Sequence, residues 1–173
     1  MVARRWLRLL KTCCFTGHRP QSLPWGNREE DFRCHALKER LQKEIRRLHQ
    51  EEGVQHFLSG MALGVDTWAA ELVLEEKLYW PEIILECVIP CPEQAERWKS
   101  ADRKRYVSIL HRCDRKTVLQ EFYSRDCFLL RNRYMVDNSQ FVLAVWNGQS
   151  GGTGYTVDYA RRRNRTMIIL PPL

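Results

Sequence analysis

Three stretches of this chain set glycine beside groups that can hold an anion. The first is Thr16–Gly17–His18–Arg19–Pro20. Gly17 allows close backbone approach. Arg19 offers a planar five-donor fork suited to phosphate or carboxylate, and His18 can donate a hydrogen bond or exchange a proton near neutral pH. The plain alternative is a tight turn with a surface arginine and a packed histidine.

The second stretch is SGMALGVD, Ser59 to Asp66. Gly60 and Gly64 bracket a tight turn, with Ser59 and Met61 as further candidate contacts. The first N–H groups of a helix starting here lack intrahelical partners and sit at the positive end of its dipole, which makes an anion site. Asp66 is placed to hold a sugar hydroxyl or to orient the loop. An acid in a first helical turn is also favourable by ~0.3–1 kcal/mol with no ligand at all. The stretch is not G-x-G-x-x-G, and it lacks the lysine of a P-loop.

The third is NGQSGGTGYTVDYA, Asn147 to Ala160. Gly148, Gly151, Gly152 and Gly154 crowd ahead of a helical pattern. Glycine costs ~1 kcal/mol against alanine in regular structure, so such a cluster needs a reason. Phosphate cradling by backbone N–H groups is one. Thr153 and Thr156 add hydroxyls, and Asn147 adds an amide.

Elements that position these turns follow from periodicity. Strands are predicted over Lys11–Thr16, Val54–Ser59, Ile83–Ile89, Lys116–Leu119, Phe141–Trp146 and Thr166–Leu170. Helices are predicted over Phe32–Gln50, Gly64–Lys77, Gln94–Leu110, Cys127–Asn138 and Thr153–Arg163. The first helix rests on Phe32, Leu37, Leu41, Ile45 and Leu48 at helical spacing. Strands alternating with helices imply an α/β, Rossmann-like, mainly parallel sheet with helices on both faces. In such sheets ligands bind beyond the carboxyl ends of the strands, near a topological switch point. All three glycine-bearing turns follow predicted strands, so they are expected to converge at one sheet edge.

The 173 residues suit one domain over 11–173, preceded by a basic N-terminal extension over 1–10. The composition, 44% hydrophobic and 28% charged, is that of a globular chain. The net charge of +7 attracts anions without naming them. Seven cysteines, with no C-x-x-C pair and no secretory signal, read as free thiols in a cytoplasmic setting. Cys87 and Cys91 lack the second pair that a zinc site needs. No apolar run approaches the ~20 residues of a membrane span. Neither metal, cofactor nor membrane is expected.

Five landmarks in order, TGHRP, SGMALGVDTWAAE, IPCPEQAERW, RNRYMVDNSQ and GGTGYTVDYA, span about Cys13 to Ile169. Together they resemble the YpsA-like branch of the SLOG superfamily, which also holds the "lonely guy" phosphoribohydrolases and the DNA-processing protein DprA. The resemblance implies a Rossmann-like domain with a nucleotide-type ligand at these loops. It also implies roles for Arg131 on a phosphate, Asn132 on a base or ribose edge, and Gln94 and Trp98 near the ligand. Trp98 suits stacking on a base, although a tryptophan at helical spacing also suits a core. The chain departs from the P-G-G-x-G-T-x-x-E pattern of the phosphoribohydrolases. Ser150 stands at the proline, Tyr155 at the threonine and Asp158 at the glutamate.

Two functions compete, ahead of a third in which the chain is a nucleic-acid or cell-division partner protein with a vestigial pocket. One is a non-enzymatic sensor or sponge for a nucleotide or ADP-ribose-derived signal, as in bacterial and phage conflict systems. The other is an N-glycosidic hydrolase of a nucleoside monophosphate, with Asp66 or Asp158 as the candidate catalytic carboxylate. The expected partners are a nucleotide-derived small molecule and further copies of the chain. Nucleic acid is not expected, because no aromatic-interleaved basic stripe is visible along the chain.

Overall fold

Residues 10–172 are described by a computed structural model. Apart from Leu10, the expected N-terminal extension lies outside the described residues. Six strands form one sheet: β1 (Lys11–Gly17), β2 (Val54–Ser59), β3 (Ile84–Ile89), β4 (Arg115–Val118), β5 (Phe141–Val145) and β6 (Thr166–Leu170). Their order is β4-β3-β2-β1-β5-β6, and every neighbouring pair is parallel. Five helices connect them: α1 (Phe32–Glu52), α2 (Val65–Glu76), α3 (Ser100–Arg112), α4 (Cys127–Asp137) and α5 (Gly152–Arg162). The chain is a Rossmann-like α/β fold.

Strand alternation divides the interior into two layers. Cys13 and Phe15 of β1, Phe57 of β2 and Leu143 of β5 join the larger core, with residues of α1, α2 and α3. Cys14, Leu58 and Val142 face the other way and pack with Met135 and Val136 of α4 and Ala160 of α5. This is the period-two geometry of a sheet covered on both faces.

Helix α1 buries Cys34, Leu37, Leu41, Ile45 and Leu48. The Asp31 carboxylate accepts a hydrogen bond from the Arg33 N–H at 3.0 Å and caps its start. Gly53, at φ 71°, closes its end by donating to the Leu48 carbonyl. Helix α2 is buried nearly all round because it lies between α1 and the sheet. Even Glu76 is fully buried there; Arg46 and Gln42 of α1 reach it at 2.7 and 2.9 Å.

The element boundaries differ most after β3. A continuous helix from Gln94 is not formed. Pro92–Ala95 is instead a 3₁₀ turn, and α3 begins at Ser100. The amides of Gln94, Glu96 and Trp98 donate to carbonyls three residues back, and Lys99 is then extended at ψ 152°. Strand β4 starts one residue before its expected position, and α5 starts at Gly152 instead of Thr153. All seven cysteines are free thiols. Among the described residues no helix is long and apolar enough to cross a membrane.

Candidate functional site

The sheet order reverses between β1 and β5, so the switch point lies beyond their carboxyl ends. The turn after β1 carries His18 and Arg19, and the turn after β5 carries Asn147 and the glycine cluster. The turn after β2, next to β1 in the sheet, carries Ser59, Gly60 and Met61. Because all strands run parallel, the three turns lie along one edge. Gly17 and the start of α2 meet closely: a Cβ on Gly17 would lie 2.6 Å from Val65.

His18 and Asn147 bridge the switch point. His18 Nε2 is 2.9 Å from Asn147 Oδ1 and 3.3 Å from the Asn147 amide nitrogen. A protonated Nε2 donates to Oδ1; an unprotonated one accepts from the backbone N–H. The proton on His18 therefore selects which of the two bonds forms.

The turn after β2 is held from inside. Ser59 Oγ donates to the Asp66 carbonyl at 2.8 Å and accepts from the Met61 N–H at 3.1 Å. Met61 is fully buried in a left-handed conformation, φ 56°. The Gly60 carbonyl accepts from Gln94 Nε2 at 2.9 Å and from Arg131 Nη1. A Cβ at position 60 would run into the Arg131 guanidinium and displace it, so glycine there lets Arg131 reach the Gly60 carbonyl. Gly64 (φ 91°) precedes α2 and packs against Pro20.

Arg131 is 4% exposed. Its Nε donates to Asn132 Oδ1 at 2.8 Å, and its Nη2 has no hydrogen-bond partner among the described residues. The guanidinium carbons of Arg131 and Arg19 lie 5.8 and 5.6 Å from the centroid of the Phe128 ring. Asp66 is 5% exposed, and among the described residues only the Ala62 N–H, at 3.4 Å, reaches its carboxylate. Burial pushes the Asp66 carboxyl up, against the pull of Arg131, the Ala62 N–H and Arg19. Burial also lowers the Arg131 guanidinium. Two cations thus face one buried carboxyl that forms no ion pair with either. The cluster carries at least one surplus positive charge, and two once Asp66 is protonated.

Helix α5 opens without a side-chain cap at Gly151. The first helical bond of the segment is Tyr155 N–H to the Gly151 carbonyl, 2.8 Å. The N–H groups of Gly152, Thr153 and Gly154 therefore have no helical acceptor. Nothing lies within 4 Å of the position a Gly152 Cβ would take. Thr156 Oγ1 donates back to the Gly152 carbonyl at 2.9 Å, and Thr153 is buried under the turn.

Other candidates fall elsewhere. Asp158 stands on the exposed side of α5, its side chain 61% exposed and 3.5 Å from Arg161. It is nearly two turns from the helix start. Trp98 packs edge-on against Tyr106, centroids 5.3 Å apart, and against the larger core. Sequence reasoning missed Phe128, which both arginines flank. The signal was its spacing from Arg131, since i and i+3 share a helix face.

The model of the YspA SLOG family (YpsA) matches residues 13–168. A UPF0398 protein of Bacillus cereus strain B4264 is 28% identical over 158 residues, 89% of this chain and 84% of that protein. A UPF0398 protein of Bacillus thuringiensis strain Al Hakam is 30% identical over the same shares. DprA from Streptococcus pneumoniae superposes with a TM-score of 0.65 at 19% identity, covering 95% of this chain and 52% of that one. The chain thus spans about half the length of that DprA. DprA from Helicobacter pylori superposes with a TM-score of 0.63 at 19% identity, covering 96% of this chain and 68% of that one.

The second DprA structure is described as showing a single-stranded DNA binding mode. This overturns the expectation that nucleic acid is no partner. A missing stripe along the sequence cannot exclude a ligand that a protein of the same fold binds. The ordered landmarks, the parallel sheet and the family match converge on one assignment: this chain belongs to the YspA SLOG family.

Proposed function

We propose that the chain binds a phosphate-bearing, nucleotide-type ligand at the β1–β5 switch point and holds it without turnover. The observation that carries this is the convergence of Arg19 and Arg131 on Phe128 beside the unpaired Asp66 carboxyl. A buried, undercompensated cation has a strong claim on an incoming anion. The uncapped start of α5 supplies backbone donors along the same edge. Binding without hydrolysis is favoured because Asp158 points away from this edge. Of the two candidate carboxylates, Asp66 is the one that stays at this edge.

The test incubates purified protein with nucleoside monophosphates, dinucleotides and ADP-ribose, then separates bound from converted ligand by mass spectrometry. Unaltered ligand should be retained. Arg19→Ala should weaken retention by about ten- to a hundredfold, the value of a charge-assisted hydrogen bond of ~1.5–3 kcal/mol. Release of a free base would favour the hydrolase reading. No retention of any member, with Arg19→Ala indistinguishable from wild type, would leave the site without a ligand.

A second reading takes the nucleotide as one unit of a single strand. The likeness to a single-stranded-DNA-binding DprA favours it. Labelled oligonucleotide competing with the retained mononucleotide would establish a shared site.

A further inference from the structure

We infer that the flank made by α3, β4 and the loop after β4 is a track for single-stranded nucleic acid, separate from the switch-point site. Residues 97–116 contain eight lysines and arginines against two aspartates, a surplus of six in a chain whose net charge is +7. Arg105 is engaged by Glu71 and Glu29, and Arg115 leans toward Glu86. The other six, Arg97, Lys99, Arg103, Lys104, Arg112 and Lys116, are exposed and have no acidic partner among the described residues. Basic side chains elsewhere are often paired, as Arg33 is with Asp31 and Lys38 with Glu29.

Tertiary structure sets Arg103, Lys104 and Arg112 along one groove on α3 and turns Lys116 toward the same side. Cys87 and Ile89 of β3 belong to the core layer that α3 covers, and they pair in register with Lys116 and Val118. Lys116 and Val118 therefore lie on the α3 side of β4, the terminal strand of the sheet. A shallow groove lined by Arg103, Lys104, Val107 and His111 runs along α3. Unpaired cations in a row attract a polyanion, and they bind it by releasing its counterions.

Aromatic rings specify which polyanion. Just beyond β4, Phe122 is 74% exposed and Tyr123 61% exposed. Their loop is tied down: Leu119 and Gln120 donate to the Ile89 and Pro90 carbonyls at 2.9 and 3.1 Å. Ser124 Oγ donates to Gln120 Oε1 at 2.8 Å, and the Tyr123 N–H reaches Glu93 Oε1 at 3.4 Å. A loop held this way while presenting two rings to water is preorganised for stacking. Unpaired bases offer the matching faces, whereas duplex bases are stacked already and a lipid surface has none.

The test is fluorescence anisotropy with labelled dT20, the same length of duplex DNA, and anionic vesicles, over a salt series. The single strand should bind in preference, with affinity falling linearly in log–log salt. Arg103→Glu with Lys104→Glu should flatten the slope by about 1.4, at ~0.7 per phosphate contact, and weaken binding at least tenfold. Phe122→Ala should weaken dT20 binding roughly fivefold or more without changing the slope. The α3 variant should retain mononucleotide as wild type does, so failure of this inference is distinct from failure of the switch-point reading. Absent dT20 binding, an unchanged slope in the charge variant, or preference for duplex or vesicles would each overturn it.

Discussion

His18 Nε2 lies 2.9 Å from Asn147 Oδ1, across the gap where the sheet changes direction. One residue follows β1 and the other follows β5, so the bond ties the two halves of the sheet at the mouth of the site. Truncating either side chain to alanine should loosen this mouth. A double-mutant cycle on thermal stability is expected to return a coupling of about 0.5–1.5 kcal/mol, the worth of one hydrogen bond. Strict additivity of His18→Ala and Asn147→Ala would mean that the contact contributes nothing.

Two glycines at this edge should respond in opposite ways. Gly152→Val places its side chain in open space, so melting temperature should hardly change while ligand retention is lost. Gly17→Ala puts a Cβ 2.6 Å from Val65 and should destabilise by about 1–3 kcal/mol, as overpacking does. Thr153→Val should affect retention less than Gly152→Val, since it removes at most one hydroxyl bond of ~0.5–1.5 kcal/mol. Thermal melts and ligand retention measured on the three variants check the order.

Asp66 makes affinity pH-dependent. Its folded pKa is raised above the ordinary 3.8, so the folded state binds the proton more tightly than the unfolded one. The stability this gives is fully present below the unfolded pKa and is lost as pH rises through the folded value. Protonation also unmasks the charges of Arg19 and Arg131. Affinity for a phosphodiester dinucleotide, which does not titrate here, should therefore rise as pH falls through the folded value. Asp66→Asn should abolish that rise. A flat wild-type profile would remove Asp66 from the site.

Glu86 predicts the opposite sign. Burial pushes it up, but hydrogen bonds from His56 at 2.9 Å and Thr117 at 2.6 Å outweigh that and hold it below its ordinary range. Its stabilisation is present above the unfolded pKa and lost as pH falls through the folded one. Glu86→Leu leaves the ring nitrogen of His56, itself 5% exposed, without its hydrogen-bond partner and should cost about 1–3 kcal/mol at neutral pH. Denaturant melts between pH 3 and pH 7 compare the two proteins; the variant should show a shallower acid dependence.

Cys113 is expected to be the first thiol to alkylate. The neighbouring Cys87 thiol draws Cys113 below its ordinary range against the effect of burial, and Cys113 is only half-buried. Cys14 is pushed up to about 12 by burial. Brief iodoacetamide treatment near pH 7.5, read by peptide mass spectrometry, should label Cys113 well ahead of Cys13 and Cys14. Equal labelling would mean that the fold opens before the reagent acts.

Local pattern was enough for the alternation of strands and helices, the α/β class and the edge on which the glycine turns lie. These follow from local rules. Apolar spacing sets what each segment buries, as Leu37, Leu41, Ile45 and Leu48 show on α1, and a parallel sheet puts every strand-to-helix turn at its carboxyl edge. Gln94 was singled out through the family resemblance, but not the 3₁₀ turn that aims it at the Gly60 carbonyl, because Pro92 and extended Lys99 interrupt an otherwise helical pattern.

Tertiary structure alone decided the rest. Strand order, and with it the meeting of His18 with Asn147, depends on packing between segments about 130 residues apart, which no local period encodes. The rotation of α5 about its axis turned Asp158 to solvent while the helix start stayed at the site. The flanking of Phe128 by Arg19 and Arg131 required the turn after β1 to meet helix α4. The basic run of residues 97–116 is visible in the sequence, but its placement on one flank is not. Its charges are spread over a helix and a strand, and only the register of β4 on β3 places Lys116 on the α3 side.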